Sequence, residues 1–319
     1  MKRSTFFNRP YLRILLVWFF CVGLWACTNK SSPQSNEDAA PSRLLVLSSF
    51  SILSNIIEEI GQEHVTVHNL VPTGTDPHEY SPRPDDMKFA SKADLLIFHG
   101  LNLEGGDHGW LIKLADTAGN PKMQRVAASE NVQPLYLTDE QGRKDVNPHA
   151  FVNPRVGIAL TERIRDALIA ADPTNADAYQ ASADAYLEKL RAIESKYAQT
   201  FANMPADQRV LVTSEQAFQY LAQAYDLTEG YIWAIDTDKN GTPAQIKAAI
   251  AFVKQHKPAR LFVESNVDRR PMETVSKATG VPIHPKPLFS DELGKKGQPA
   301  DTYLGYLEYN LEQLEAMGE

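Results

Sequence analysis

Short apolar runs alternate with amphipathic stretches along most of this chain, and that alternation leaves few folds open. Leu44-Leu45-Val46-Leu47-Ser48-Ser49 reads as a buried strand, Ile52 to Ile60 as a helix closed by Gly61, and Val65 to Val71 as a second strand. A helix from about Asp85 and a strand from Ala93 to Phe98 continue the pattern. A helix from Leu111 to Ala118 and short strands around Val126 and from Val132 to Tyr136 follow. Such strand–helix–strand units build parallel sheets, because the crossover must carry the chain back to the edge where it started. The plan then recurs. Val210 to Ser214 precedes a helix from Glu215 to Tyr225, Ala259 to Glu264 parallels Ala93 to Phe98, and a last strand lies near Val281 to His284.

Between the halves lies one helix of unusual length. Asp172-Pro173 opens it, and Tyr179, Ala183, Tyr186, Leu190, Ile193, Tyr197 and Phe201 recur at spacings of three and four. At 1.5 Å per residue, Pro173 to Phe201 makes a rod of roughly 40 Å. A coiled-coil dimer seam is one use for such a rod. The return of the α/β pattern beyond it favours a helix joining two lobes, and a monomer. The expected fold class is therefore α/β, with two similar parallel-sheet lobes, helices on both faces, and one long rigid helix between them. The expected divisions are residues 43–172 for the first lobe, 173–203 for the linking helix and 204–319 for the second lobe.

The first 26 residues read as a signal peptide. Met1-Lys2-Arg3, Arg9 and Arg13 precede the apolar run Ile14 to Ala26, which is shorter than the ~20 residues of a membrane span. It ends in Leu24-Trp25-Ala26-Cys27, which resembles a lipobox, so Cys27 is the expected lipidated first residue of the mature chain. A plain cleaved signal or an uncleaved anchor is the competing reading. Residues 27–42 are polar, with nothing to pack, and read as a flexible tether. Cleavage also removes Cys21, leaving no cysteine free to pair, so an exported protein of this kind must rely on its core. Loss of four basic residues with the leader leaves 28 Lys and Arg against 40 Asp and Glu. That surface repels nucleic acid and mildly concentrates cations.

Against this frame, Val71 to Pro84 stands out: four prolines and Gly74 surround one histidine, His78. Proline fixes φ and restricts the residue before it, so Asp76-Pro77-His78 has little conformational entropy left to lose on binding. The loop follows a strand, and ligands of parallel sheets gather beyond the carboxyl ends of strands. His149 is likewise preceded by proline and followed by Asn153-Pro154, a helix cap and first-turn proline. Glu215 falls at the end of the first strand of the second half, and Asp291 follows its last strand. Singly, each has an ordinary explanation: a surface or structural histidine, an acid capping a helix. Together they are two imidazoles and two carboxylates at strand ends facing one cleft, a set suited to a divalent metal. His64, His68, His99, His108, His256 and His284 read as surface or structural.

These residues also carry a family resemblance. Pro72-Thr73-Gly74-Thr75-Asp76-Pro77-His78-Glu79-Tyr80, Pro148-His149-Ala150-Phe151, Thr213-Ser214-Glu215-Gln216-Ala217-Phe218, Phe262-Val263-Glu264-Ser265 and Phe289-Ser290-Asp291 resemble, in order, landmarks of the cluster A-I solute-binding lipoproteins of bacterial metal ABC importers. The resemblance implies a metal held between two lobes by His78, His149, Glu215 and Asp291. It also implies an extracytoplasmic place on the membrane through Cys27, a permease and an ATPase as partners, and no chemical turnover. Glu215 stands where zinc carriers of the family usually have histidine, so the chain resembles the manganese and iron branch. Oxygen donors suit Mn2+ or Fe2+, and two carboxylates offset the cation's charge, although the usual affinity order lets Zn2+ compete. A hydrolase is the rival from another class. His78-Glu79 begins a zinc-protease motif, but the second histidine is replaced by Pro82, which also breaks the helix that the motif needs. A surface adhesin is the other rival, and no evident protein-binding patch supports it.

Overall fold

The described residues open with β1 (Leu44–Phe50), which runs directly into α1 (Ser51–Gly61). In the computed structural model, residues 43–138, 142–235 and 241–318 are described; the expected leader, Cys27 and the tether lie outside them. β2 (Val65–Val71), α2 (Pro84–Ala90), β3 (Leu95–Phe98), α3 (Trp110–Thr117) and β4 (Gln124–Ala127) complete a four-stranded sheet in the order β2-β1-β3-β4. All its pairings are parallel, with Val46 opposite both Val67 and Leu95, and Leu95 opposite Gln124. β1 is buried apart from Leu45, as expected of a parallel strand covered on both faces. Gly61 ends α1 for a different reason from the one expected. The left-handed residue is Gln62, at φ 47°, whereas a Cβ on Gly61 would stand 2.4 Å from Val65 Cγ2. Close packing of helix against strand demands the glycine there.

A short antiparallel pair follows, β5 (Tyr136–Thr138) with β6 (Lys144–Val146). The strand expected over 132–136 is thus displaced toward 138, and its partner has too few apolar residues to announce itself. α4 (Pro154–Ala171) starts as its sequence suggested, with the Asn153 side chain accepting from Arg155 N and Pro154 in the first turn. The long helix α5 (Ala176–Asn203) has 28 residues and begins after a short 3-10 turn at Pro173–Asn175.

In the second half, β7 (Val210–Val212) and β8 (Thr228–Gly230) pair in parallel around α6 (Gln219–Ala224). Glu215 therefore lies ahead of the helix instead of starting it. Residues 214–216 run extended beside 232–233, with Gln216 N donating to Trp233 O at 3.0 Å. The strand expected over 259–264 forms only in part. Phe262 N donates to Val212 O at 2.8 Å, and isolated bridges join Leu261 to Ile283 and Glu264 to Leu288. Pro282, Pro285 and Pro287 lack amide hydrogens, so no continuous ladder can form along that edge. The order of segments nevertheless repeats the first sheet: β8, β7, 261–264, then 283–288. α7 (Pro243–His256), α8 (Arg270–Thr279) and α9 (Tyr303–Leu314) complete the fold.

α5 packs against α1, α4 and α9, and Tyr197 OH donates to Leu307 O at 2.7 Å. Its buried face is the one that the spacing marked: Tyr179, Ala183, Tyr186, Leu190, Ile193, Tyr197 and Phe201 are all core. The larger apolar core takes in β1, α1, α5 and α9, and also Leu211, Phe218, Phe262 and Leu288 of the second half. A smaller core lies among β7, α7 and α8.

Candidate metal centre

His149 shows how the fold builds the centre. Asn147 Nδ2 donates to Gln216 O at 3.0 Å and Gln219 Oε1 at 3.1 Å, which turns its Oδ1 toward His149. That oxygen accepts the His149 backbone amide at 3.0 Å and stands 2.8 Å from ring Nδ1. Because Oδ1 can only accept, Nδ1 carries the hydrogen and Nε2 presents a lone pair. The ring is fully buried, so that lone pair points into protein rather than water. Beneath it, His99 Nε2 donates to Pro148 O at 2.7 Å and pins the turn. Burial holds the His99 pKa down to about 3, so it donates as a neutral ring.

The other three side chains meet His149. Its Nε2 lies 3.1 Å from Asp291 Oδ1 and 3.7 Å from Glu215 Oε1. His78 Nε2 lies 3.9 Å from the same Asp291 oxygen, and the two imidazole centroids are 5.4 Å apart. His78, His149 and Glu215 each offer a ligand atom within 4.8 Å of the others. All four residues singled out from the sequence are thus brought together, from loops 71, 66 and 76 positions apart in turn as the chain is read. Nε2 of His78, Nε2 of His149 and Oδ1 of Asp291 are buried yet make no aligned hydrogen bond. Buried polar atoms generally take partners, and three of them converging from separate loops, two with lone pairs and one a carboxylate oxygen, suit a shared cation.

The protonation states suit a cation. Burial disfavours charge on Asp291, but His149, His78 and the Ser290 hydroxyl outweigh it and hold the carboxyl below its ordinary range. Its second oxygen is occupied, accepting from Asn266 Nδ2 at 2.8 Å and Ser290 Oγ at 2.9 Å, which leaves Oδ1 for the site. Burial pushes the His78 pKa down despite the nearby Asp291, favouring the neutral, ligating ring.

The supporting roles of several residues were not apparent from sequence. Glu264 is buried, and its two oxygens accept Glu215 N at 2.8 Å and Ser214 N at 3.1 Å, fixing the backbone that presents Glu215. Glu104 does the same in the first half, accepting His99 N at 2.6 Å and Gly100 N at 3.1 Å. Burial raises each to about 7 against the pull of those amides. An acid closing an apolar run, as in Leu261-Phe262-Val263-Glu264, was the available signal.

Residues 46–317 match the family model described as ZnuA, zinc-uptake complex component A, periplasmic. The chain belongs to the ZnuA family. It is 40% identical over 293 residues to the manganese ABC transporter substrate-binding lipoprotein PsaA of Streptococcus pneumoniae, covering 92% of this chain and 93% of that one. It is 38% identical over 316 residues to the iron ABC transporter substrate-binding lipoprotein MtsA of Streptococcus pyogenes serotype M1, covering 98% and 97%. The Mn-bound periplasmic metal binding protein of Candidatus Liberibacter asiaticus superposes with a TM-score of 0.76 at 28% identity, over 86% of this chain and 99% of that one. The α/β fold and the importer-component relationship of this ZnuA-family chain are therefore established together.

Proposed function

We propose that this chain captures Mn2+, or Fe2+, with His78, His149, Glu215 and Asp291 and hands it to a membrane permease driven by an ATPase. One observation carries the reading: the ligand atoms of His78, His149 and Asp291 are buried, close together and without hydrogen bonds. Two carboxylates and two neutral imidazoles balance a 2+ charge, and a mixed oxygen and nitrogen set suits Mn2+ or Fe2+. Relatives named for manganese and for iron support the same choice. The protein acts by capture and release, without chemical turnover. It does so as a monomer of two lobes, residues 43–172 and 204–319, with helix 173–203 between them. A lipid on Cys27 keeps it outside the cytoplasm at the membrane, while residues 27–42 give the cleft reach.

Zinc is the second reading, favoured by the family description and by the affinity order of divalent metals. Elemental analysis of protein purified without chelator, with titration of the stripped form, separates the two. Manganese or iron at one ion per chain is expected, with zinc able to displace it in vitro. Glu215→His should move preference toward zinc by about tenfold or more, by exchanging an oxygen donor for nitrogen. Unchanged manganese affinity in that variant would remove Glu215 from the ligand set.

A further inference from the structure

Asp291 is delivered by a stretch that sheet pairing does not hold. Leu288 still pairs, its amide donating to Val263 O at 3.0 Å and its carbonyl accepting Ser265 N at 2.8 Å. Beyond it, the backbone of Phe289 and Ser290 takes its partners from α9. Asn310 Oδ1 accepts Phe289 N at 2.9 Å, and Asn310 Nδ2 donates to Phe289 O at 2.8 Å. Tyr306 OH donates to Ser290 O at 2.9 Å, one residue before Asp291. Backbone groups buried here need such partners, and side chains of a helix supply them where the ladder has ended.

The same helix reaches the segment that carries His149. Tyr303 OH donates to Phe151 O at 2.7 Å, on the 3-10 turn His149–Val152. Gly157 of α4 leaves room for that hydroxyl, because a Cβ there would overlap it. Alanine would otherwise be the better helix former at that position. Tyr303, Tyr306 and Asn310 are spaced by three and four, so they share one face of α9, and all three are fully buried. α9 is itself anchored away from the metal centre. Tyr303 N donates to Asn55 Oδ1 of α1 at 2.8 Å, and Leu307 O accepts Tyr197 OH of α5. One anchored face therefore holds the backbone behind two ligands whose atoms, His149 Nε2 and Asp291 Oδ1, stand 3.1 Å apart.

We propose that α9 is the template for this pair: Tyr303 fixes the turn bearing His149, Tyr306 and Asn310 fix the segment bearing Asp291, and the helix sets the spacing at which both meet a cation. The three are positioning residues that act through backbone groups, and the proposal rests on His149 and Asp291 being ligands. A pair already held at its spacing loses less freedom when the ion binds.

The test is calorimetric titration of the stripped full chain with Mn2+ at constant pH. Tyr303→Phe and Tyr306→Phe each keep the ring and delete one hydrogen bond, and each should weaken binding about fivefold, the scale of one neutral hydrogen bond. A spacing is lost once either end is free, so the double variant should fall within about twofold of the weaker single. Tyr197→Phe removes a hydrogen bond of α9 on its α5 side and should leave Mn2+ affinity within about twofold of wild type. All three single variants delete one buried hydrogen bond of α9, so lost stability is common to them and affinity separates positioning from it. Affinities within about twofold of wild type for both Tyr303→Phe and Tyr306→Phe overturn the template. A double variant weakened about 25-fold overturns it too, since independent anchors multiply. So does a loss in Tyr197→Phe equal to the other two, because a loosened helix would then suffice. A wild type that binds no Mn2+ removes the proposed function along with the template, whereas binding by wild type with unaltered affinity in Tyr303→Phe and Tyr306→Phe removes the template alone.

Discussion

The two histidines of the centre face each other at 5.4 Å but are held in opposite ways. His149 is fully buried, its ring orientation set by Asn147 and its turn pinned by His99. His78 sits on a proline-bounded loop, between exposed Asp76 and Glu79, and is steadied by contacts to the backbone around it. One ring is fixed by side chains within the core, the other through the backbone of a surface loop. Preorganised ligands lose less freedom on binding, so they contribute more to affinity. His149→Ala should therefore weaken Mn2+ binding by more than about a hundredfold, exceeding the loss that follows removal of a mere supporting partner. His78→Ala should cost about tenfold less than that and should act mainly on dissociation. Titration of both stripped variants decides it, and equal losses would break the distinction.

Asn147 sharpens the same contrast from behind the ligand. Without its oxygen the His149 proton is free to move to Nε2, where it blocks the lone pair. Asn147→Ala should lower Mn2+ affinity ten- to hundredfold, roughly the cost of removing a hydrogen-bonding partner of a ligating histidine. Calorimetric titration at constant pH measures it. An affinity within twofold of wild type would mean that the tautomer is set elsewhere.

The rigid parts of the molecule were the legible parts. Leu44 to Ser49, Val65 to Val71 and the α5 stripe lie in regular elements whose periodicity the core enforces, so they could be read directly. The 259–264 and 281–284 segments read as strands, but Pro282, Pro285 and Pro287 along their shared edge reduce the pairing to bridges. Glu215 was read as a helix start because acids suit that position, whereas pairing with Trp233 keeps its segment extended. The convergence of His78, His149, Glu215 and Asp291 was accessible because each follows a strand in a fold that gathers strand ends. The braces were not. Glu264 matters through an amide 49 residues away, and Asn147 through groups 69 and 72 residues away. Only the assembled fold specifies which backbone groups those side chains satisfy.

His99 offers a test of the fixed half that needs no metal. Its pKa is lowered by burial to about 3, while in the unfolded chain it titrates near the ordinary 6.5. Between those values the unfolded state binds the proton and the folded state does not. The stabilisation is thus present above pH 6.5 and is lost as the pH falls toward 3. His99→Gln retains an amide donor for Pro148 O and lacks the titration. Between pH 7 and pH 5, stripped wild type should lose about 2 kcal/mol more than His99→Gln in urea unfolding, from the span of about 1.5 pH units below 6.5. Parallel pH profiles for the two proteins would show that the turn under His149 does not depend on a neutral ring at 99.

The smallest expected effect belongs to the loop. Trp110→Phe preserves most of the ring that packs edge-on against Tyr80, at 5.1 Å between centroids, and deletes the 2.9 Å hydrogen bond to Pro77 O. Pro77 is buried and immediately precedes His78, so freeing its carbonyl loosens the ligand without altering the donor set. A single neutral hydrogen bond contributes about 1 kcal/mol, which sets the dissociation change at about fivefold. The melting temperature of the stripped protein should shift little, because the bond steadies a loop and not the core. If Trp110→Phe instead slows association and leaves release unchanged, the hydrogen bond to Pro77 acts on entry of the cation and not on its retention by His78.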